Sequence, residues 1–266
     1  MKIKWILPVF ILALVLILLT VVENKHASGL LSPAVLRNAR NRDDFTLDEK
    51  GRVSYPGALL GVDVSDHQGQ IDWKRVRADG VDFAILRVGY RGYSVGNIRA
   101  DDSFARNYVE AKEAGLKLGV YFYSQALSPE EARQEADWVL KMLDGIELEL
   151  PVFFDWEEAE DGRTAGKASP AVSGYAAAFC QTISQGGYQA GAYFNQQYGY
   201  TIMKLSQLTE YAFWLAEYQA YQSFPRETAF WQFSSVGTVD GIDTVVDLDL
   251  MYEVENPNDE TETNHG

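Results

Sequence analysis

The stretch LPVFFDWEE, residues 150–158, begins with apolar residues and ends in three carboxylates and a tryptophan. Asp155 and Glu157 are two residues apart, so on an extended strand they point to the same face, about 7 Å from each other. Like charges held that close resist simultaneous ionisation, and the repulsion can keep one carboxyl protonated for use as an acid. The spacing therefore indicates acid–base chemistry; the alternative is that both side chains simply lie in water in a loop.

Further acids lie within or just after other apolar segments. Asp63 lies near the end of LLGVDVS with Asp66 just after it, while Asp247 and Asp249 belong to VVDLDLMY. Each has a simpler reading as well, because Asp63 could cap a turn, and Asp247 or Asp249 could pair with a core arginine such as Arg87. The strands and loops that carry these acids decide between the catalytic and the structural interpretation.

Eight apolar segments have the length and composition of β-strands. They span residues 59–65, 82–90, 117–125, 150–157, 189–196, 212–218, 229–235 and 245–252. Amphipathic segments predicted as helices separate the first five, whereas the last three are joined by connections too short for full helices. Alternating strands and helices favour parallel strands with crossover helices. We therefore predict an α/β fold, an irregular TIM-like barrel of five β/α units followed by three mostly β strands.

Such a barrel builds its active site at the C-terminal ends of its strands. Strands 1 and 8 are neighbours in a closed barrel and strand 4 lies across from them, so we expect Asp63, Asp155, Glu157 and Asp247 to share one pocket. Aromatic side chains on these strands could stack on sugar rings, with ordinary packing inside the barrel as the alternative. The predicted substrate-binding residues are Tyr121, Tyr123, Tyr193, Trp214, Tyr218, Trp231 and Asp249.

The composition argues against several other functions. A net charge of −15 over 266 residues disfavours nucleic-acid binding, which needs a basic surface. Three histidines and no H-E-x-x-H motif give no support for a catalytic metal, and we predict no cofactor. The stretch GYSVG, residues 92–96, matches a nucleophile elbow, but the only later histidine is His265, so we interpret the match as accidental.

The N-terminus has the pattern of a membrane anchor. Lys2 and Lys4 precede an uncharged run over residues 5–22, and this run is about 27 Å long as a helix, close to the thickness of a bilayer. The lysines predict that residues 1–4 stay in the cytoplasm and that the rest of the chain lies outside. We expect a single-pass protein of a bacterial cell membrane, with secretion after signal cleavage as the alternative.

The remaining segments flank the barrel. Residues 23–57 are predicted to form a stalk or linker, with a possible small hairpin around Lys50-Gly51. The barrel then covers residues 58–252, and residues 253–266 form an acidic tail with the composition of a disordered segment.

Taken in order, several of these motifs resemble glycoside hydrolase family 25, the lysozymes or N-acetylmuramidases. The motifs are GVDVSDHQGQIDW, FAILRVGY, AGLKLGVYFYS, PVFFDWEE, FWLAEY and FWQFSS…GIDTVVDLDLMY. The resemblance covers about residues 58–252. It implies an irregular barrel of five β/α units followed by three strands, and cleavage of the β-1,4 bond between N-acetylmuramic acid and N-acetylglucosamine in peptidoglycan.

The resemblance also implies roles for the acids. Glu157 matches the general acid, Asp155 its partner carboxylate, Asp63 the acid of strand 1 and Asp247 the acid of strand 8. Inversion and participation of the substrate's 2-acetamido group both stay open as mechanisms. The chain departs from the family pattern at Phe122, where many members carry histidine, and at Asp66, which adds a charge near Asp63.

Two alternatives remain. A family 18 chitinase also ends its fourth strand in D-x-E, but its longer motif requires an aspartate where this chain has Phe153. A membrane-tethered glycan-binding module without catalysis would be expected to lack one of the acids. We expect a monomer whose partner is peptidoglycan.

Overall fold

The computed structural model describes residues 37–252. The predicted anchor at residues 5–22 and the acidic tail at 253–266 lie outside the described residues. Within residues 37–252, no helix is long and apolar enough to cross a membrane. Two short strands, β1 (Thr46–Leu47) and β2 (Val53–Ser54), pair antiparallel around Gly51, which has a φ of 75°. A hairpin is therefore present around Lys50-Gly51.

Nine further strands and five helices follow within residues 37–252. The strands are β3 (Ala58–Val64), β4 (Phe83–Arg91), β5 (Ile98–Ala100), β6 (Lys117–Ser124), β7 (Val152–Trp156), β8 (Ala190–Asn195), β9 (Ala212–Ala216), β10 (Phe230–Gly237) and β11 (Val246–Tyr252). The helices are α1 (Trp73–Ala78), α2 (Phe104–Glu113), α3 (Pro129–Met142), α4 (Val172–Gln185) and α5 (Gln196–Thr201). The described part of the chain also contains three 3₁₀ turns, at Arg42–Asp44, Asp66–Gln68 and Leu205–Gln207.

Eight of the strands form a closed barrel, which confirms the predicted α/β barrel. From β3 through β4, β6, β7, β8, β9 and β10, each barrel strand is parallel to the next. The last strand, β11, closes the barrel and is antiparallel to both β10 and β3. The short strand β5 lies outside the barrel, where it pairs with the end of β4. Neither β5 nor the reversed direction of β11 was predicted.

A local sequence signal fixes the start of helix α3. Helix α3 begins as its sequence predicts, because the Ser128 side chain accepts a hydrogen bond from the backbone N–H of Glu131 and Pro129 occupies the first turn. The helices pack on the outside of the barrel, so a strand that they cover, such as β7, is buried on both faces.

Aromatic rings fill the lower part of the barrel interior. Phe83, Phe153 and Phe230 are fully buried there, and the Phe230 ring lies 5.8 Å from that of Phe83 and 5.1 Å from that of Phe153. Two glycines make room for these rings. A Cβ atom on Gly61 would lie 2.2 Å from the Phe83 ring, and one on Gly191 would lie 2.4 Å from the Phe153 ring. The interior below the site is therefore a packed core, not a channel.

We expect Gly61→Ala to destabilise the protein, because the new methyl group collides with the Phe83 ring. Overpacking of this kind costs about 1–3 kcal/mol in the free energy of unfolding, measured by urea denaturation. Combining Gly61→Ala with Phe83→Leu should cost less than the sum of the two single changes, since the smaller side chain leaves room for the methyl group.

Gly174→Ala provides the matched control. Gly174 lies inside α4, and a Cβ atom added there would meet nothing within 4 Å outside the backbone of its own helix. Alanine there should leave the stability unchanged or raise it by about 0.5–1 kcal/mol. Equal effects of alanine at both glycines would contradict the role given to the Phe83 ring.

Candidate active site

A cleft of about 340 Å³ opens at the C-terminal ends of the parallel strands. Of the eleven site residues predicted from the sequence, nine line it. They are Asp63, Tyr121, Tyr123, Asp155, Glu157, Tyr193, Trp214, Tyr218 and Asp247. The predicted acids of strands 1, 4 and 8 are thus brought to one place.

Strand alternation and register place the acids. On β7, Asp155 faces the cleft, while its neighbours Phe154 and Trp156 pack into the outer core. Glu157 follows the last residue of β7 and lies at the mouth. Across the barrel, Asp247 of β11 is the direct cross-strand partner of Asp63 on β3. Two acids from β7 therefore face two acids from the β3–β11 pair.

The main chain at Glu157 is held by a buried polar pair. Gln125 Nε2 donates to the Glu157 carbonyl oxygen at 2.7 Å, and Thr164 Oγ1 donates to Gln125 Oε1 at 2.8 Å. The backbone N–H of Ala159 in turn donates to Thr164 Oγ1 at 2.9 Å. Both side chains are fully buried, so they fix the segment that carries Glu157 beyond the end of its strand. The sequence contains no motif that singles out Gln125 or Thr164.

A second neutral group orients Asp63. Gln232 Nε2 donates to Asp63 Oδ2 at 2.7 Å. The Oε1 atom of Gln232 accepts hydrogen bonds from the hydroxyls of Tyr193 at 3.1 Å and Tyr218 at 3.0 Å. Because two hydroxyl donors face Oε1, the amide must turn its NH₂ group toward Asp63. Gln232 lines the cleft and was not predicted.

Burial raises the pKa of all four acids of the cleft. Burial raises the pKa of Asp63 well above its usual range, and the charges of Asp247, Asp249 and Asp155 add to the effect. The pKa of Asp155 is also raised well above its usual range, by burial and then by Glu157. Burial and Asp247 raise the pKa of Glu157, and burial raises the pKa of Asp247 to about 6. The raised pKa values and the short spacing therefore disfavour simultaneous ionisation of the four acids.

Arg87 is the one arginine or lysine among the described residues that line the cleft. Its Nε donates to Asp101 Oδ2 at 2.8 Å and its Nη2 donates to Asp66 Oδ1 at 2.5 Å. The alternative in which Arg87 pairs with Asp247 or Asp249 is therefore wrong. Asp66 and Asp101 balance the positive charge of the guanidinium. Arg87 also opposes the rise in the pKa of Asp155.

Two predicted residues do not reach the cleft, and their placement corrects the prediction. Trp231 faces the outer core, where its Nε1 donates to the Glu217 carbonyl at 2.8 Å and its ring lies 5.5 Å from that of Phe45. The reason is strand alternation, because Gln232 takes the inward position on β10. Asp249 does face inward, but it lies beneath the cleft and is fully buried.

One aromatic residue of the rim was missed. Tyr93 lies in the turn between β4 and β5, lines the cleft and is 55% exposed, with its ring 5.9 Å from that of Tyr123. The turn is the GYSVG segment, and Gly96 adopts a φ of 73° within it. The apparent nucleophile elbow is thus a hairpin turn. His67 also borders the cleft, with a side chain that is 77% exposed.

A closed β/α barrel with a cluster of carboxyl groups at the C-terminal ends of its strands defines a class of protein, the glycosidases that work by carboxylate acid–base chemistry. The sequence model of glycosyl hydrolases family 25 matches residues 62–242. The chain belongs to this family, and the family resemblance found in the sequence is confirmed.

Several relatives are similar over most of the barrel. The autolytic lysozyme of Clostridium acetobutylicum is 27% identical over 198 residues, which are 73% of this chain and 56% of the relative. The uncharacterized protein YegX of Escherichia coli K12 is 28% identical over 210 residues, or 75% of this chain and 72% of YegX. This chain therefore spans little more than half of the Clostridium relative.

Solved structures share the fold. The modular autolysin LytC of Streptococcus pneumoniae matches with a TM-score of 0.66 and 25% identity, over 78% of this chain and 50% of LytC. LytC has also been solved in complex with a synthetic peptidoglycan ligand. A family 25 glycosyl hydrolase of Bacillus anthracis matches with a TM-score of 0.61 and 20% identity, over 74% of this chain and 90% of that structure.

We expect Asp247→Asn to lower the pKa of Glu157. Above pH 6 the Asp247 carboxylate is ionised and disfavours a second charge on Glu157, so its removal should lower the pKa of Glu157. NMR titration of the glutamate side-chain carboxyl carbons, assigned with Glu157→Gln, measures the shift.

Glu160→Gln serves as the control, since Glu160 is an exposed acid on the same loop as Glu157. This substitution should leave the pKa of Glu157 unchanged. An unchanged Glu157 titration in Asp247→Asn would show that the two groups do not interact as the structure indicates.

Proposed function

We propose that the protein is a peptidoglycan hydrolase that cleaves the β-1,4 bond between N-acetylmuramic acid and N-acetylglucosamine, with Glu157 as the general acid. The observation that carries the proposal is the placement of Glu157. It lies at the mouth of the cleft, its main chain is clamped by Gln125, and burial together with Asp247 keeps it protonated to higher pH. The similarity to an autolytic lysozyme and to a peptidoglycan-binding autolysin supports this substrate.

Glu157 is better suited to the acid role than Asp155. Asp155 lies deeper and is only 7% exposed, whereas Glu157 follows the end of the strand and can reach a glycosidic oxygen in the cleft. As the bond between the anomeric carbon and the leaving oxygen breaks, Glu157 gives its proton to that oxygen. Positive charge then develops on the sugar ring, and the surrounding carboxylates stabilise it.

Asp155 has the position of the partner carboxylate. Its Oδ1 atom is buried and has no hydrogen-bond partner among the described residues. A buried carboxylate oxygen without a donor is unfavourable, and an N–H group of a bound 2-acetamido sugar would supply one. This favours a role for Asp155 in orienting that group. Water then adds to the anomeric carbon, either directly or after the acetamido oxygen has bonded to it, and gives up a proton to a carboxylate of the cleft.

The half-exposed aromatic residues suit a glycan ligand. Tyr93 and Tyr218 line the cleft and are both 55% exposed at its rim. Rings of this kind stack on the apolar faces of sugars while their hydroxyls form hydrogen bonds. Trp214 and Tyr193 lie deeper and support the floor of the cleft, with ring centroids 4.8 Å apart.

We expect Glu157→Gln to lower the rate of peptidoglycan cleavage by about 10²–10⁴-fold, because the amide cannot donate a proton to the leaving oxygen. Release of reducing ends from purified peptidoglycan measures the rate, and thermal unfolding checks that the fold is intact. Glu160→Gln should retain near wild-type activity. A Glu157→Gln protein that unfolds normally and cleaves at the wild-type rate would refute the assignment.

The substrate distinguishes a muramidase from a chitinase. Every second sugar of peptidoglycan carries a lactyl-linked peptide, so a muramidase needs space beside the glycan chain. We expect turnover of peptidoglycan fragments to exceed that of chitin oligomers of equal length by at least about tenfold at mildly acidic pH, a difference of roughly 1.4 kcal/mol in transition-state free energy.

Mass analysis of the products identifies the bond that is cut. Equal or faster turnover of chitin oligomers would favour the chitinase alternative. Binding of either glycan without any release of reducing ends would favour a glycan-binding module, although all four acids of the cleft are present.

We also propose, from the sequence, that residues 5–22 anchor the protein in a bacterial cell membrane with the barrel outside the cytoplasm. The uncharged run and the two lysines before it support this proposal. Such a location would place the cleft in the same compartment as peptidoglycan.

A further inference from the structure

Glu217 is a buried acid that does not line the cleft. It directly follows the last residue of β9 and is only 3% exposed. Its carboxylate accepts four hydrogen bonds, two on each oxygen. Gln196 Nε2 donates to Oε1 at 2.7 Å, and the Ser223 hydroxyl donates to the same oxygen. The backbone N–H groups of Ser223 and Phe224 donate to Oε2 at 3.0 and 3.1 Å. Because a buried carboxylate without donors is costly, these contacts hold the groups that make them in place.

The hydrogen bonds of Glu217 close a loop. Residues 218–222 contain no helix or strand, so no ladder of backbone hydrogen bonds fixes their conformation. The chain leaves β9 at Glu217 and returns to its carboxylate at Ser223 and Phe224. Phe224 is 1% exposed, with its ring 5.8 Å from that of Phe194, which anchors the far end of the loop. The carboxylate therefore joins the two ends of the loop and sets its shape.

The side chain of Glu217 extends from a fixed point of the main chain. The N–H group of Glu217 donates to the Gln232 carbonyl oxygen at 3.1 Å, and the Glu217 carbonyl oxygen accepts from Trp231 Nε1 at 2.8 Å. Both contacts are made with β10. A carboxylate held in this way can fix a loop that has no regular structure of its own.

The loop carries a residue of the cleft. Tyr218 is its first residue and is half-exposed at the rim, and its hydroxyl donates to Gln232 Oε1 at 3.0 Å. Gln232 donates in turn to Asp63 at 2.7 Å. The second hydroxyl on Gln232 Oε1 is that of Tyr193 on β8, and Gln196, which directly follows β8, is bound to Glu217. Glu217 thus ties together the rim segments that supply both hydroxyl donors.

We propose that Glu217 is a positioning residue, whose buried carboxylate holds the loop after β9 so that Tyr218 stays at the rim with its hydroxyl on Gln232. Without the carboxylate, two backbone N–H groups lose their acceptor and the loop opens. Gln232 then loses one of the two donors that orient its amide toward Asp63. The inference deepens the proposed function and rests on it only for the use that the reaction makes of Tyr218 and Asp63.

Hydrogen exchange of backbone amides, followed by NMR in the full-length protein, tests the closure of the loop directly. The amides of Ser223 and Phe224 should be protected in the wild type, and Glu217→Ala should raise their exchange rates at least about tenfold. Glu217→Gln should keep most of the protection, because its amide oxygen still accepts from both N–H groups. Unchanged exchange at the two amides in Glu217→Ala would overturn the inference.

A shorter acid replaces alanine in this test if Glu217→Ala does not fold. Glu217→Asp keeps the charge but lacks one methylene group, so its carboxylate is drawn back from the two N–H groups. It should show faster exchange at the same amides, whereas full protection in Glu217→Asp would contradict the role given to the carboxylate.

The activity of a double variant tests whether Glu217 acts through Tyr218. Glu217→Ala is expected to lower kcat/KM for peptidoglycan at least about tenfold, and Glu217→Gln no more than about threefold. In a Tyr218→Ala background, Glu217→Ala should cost no more than about a further twofold, since the side chain that it positions is already absent. Equal losses with and without the Tyr218 side chain would refute the positioning role.

Asp79→Ala is the matched control. The Asp79 carboxylate also binds a backbone N–H group, that of Asp240 at 2.9 Å, and pairs with Arg52 and Lys50. Asp79 precedes β4, so it lies at the end of the barrel opposite the cleft. Its loss should lower the free energy of unfolding in urea while kcat/KM stays within about twofold of wild type. A tenfold loss of kcat/KM in this control would show that activity follows stability, against a specific role for Glu217.

The exchange rates separate this inference from the proposed function, because they do not depend on activity. Protection that is lost in Glu217→Ala and kept in Glu217→Gln supports the closed loop even if the wild type fails to cleave peptidoglycan. If the wild type cleaves peptidoglycan and the exchange rates are unchanged in Glu217→Ala, the proposed function stands and the inference fails.

Discussion

Exclusion of water from a cluster of carboxyl groups is the constraint on which the site depends. Asp63, Asp155 and Asp247 lie at the mouth of one barrel with Glu157, and burial is the largest cause of the raised pKa of each. The strands fix the spacing of these groups, so the acids cannot move apart to relieve their repulsion. The fold therefore disfavours simultaneous ionisation of these groups, which is the condition that a glycosidase needs to keep one acid protonated.

The groups around the acids leave the pKa values of these acids raised. Neutral donors hold them: Gln232 binds Asp63, Trp214 binds Asp249, and Gln125 binds the main chain at Glu157. A neutral donor fixes a carboxyl group in place but stabilises its charge less than a cation does. Arg87, the cation at the edge of the cleft, is compensated by two other carboxylates. Below, the ring of Phe83 fills the space left by the glycine of β3 and keeps the floor rigid.

The sequence predicted the parts that have strong local signals. All eight barrel strands were found, because runs of apolar residues bounded by loop residues mark them, and the four acids of the cleft occur at or near the ends of such runs. Which side chains of a strand face the barrel interior was less predictable. Strands buried on both sides show no alternation of apolar and polar residues, so nothing distinguished Trp231, which faces outward, from its inward neighbour Gln232. Gln125 and Thr164 were missed because their roles depend on contacts between distant segments.

The direction of the last strand follows from the length of the connection before it. A parallel strand requires a crossover of a dozen residues or more, whereas antiparallel strands can be joined by a short connection. Residues 217–229 join β9 to the parallel β10, but only residues 238–245 join β10 to β11, which returns antiparallel. Because β11 enters the barrel from the mouth, its earlier acid, Asp247, lies in the cleft and Asp249 lies below it. In a parallel strand the order would be reversed, so the direction of β11 decides which of the two aspartates lines the cleft and which is buried beneath it.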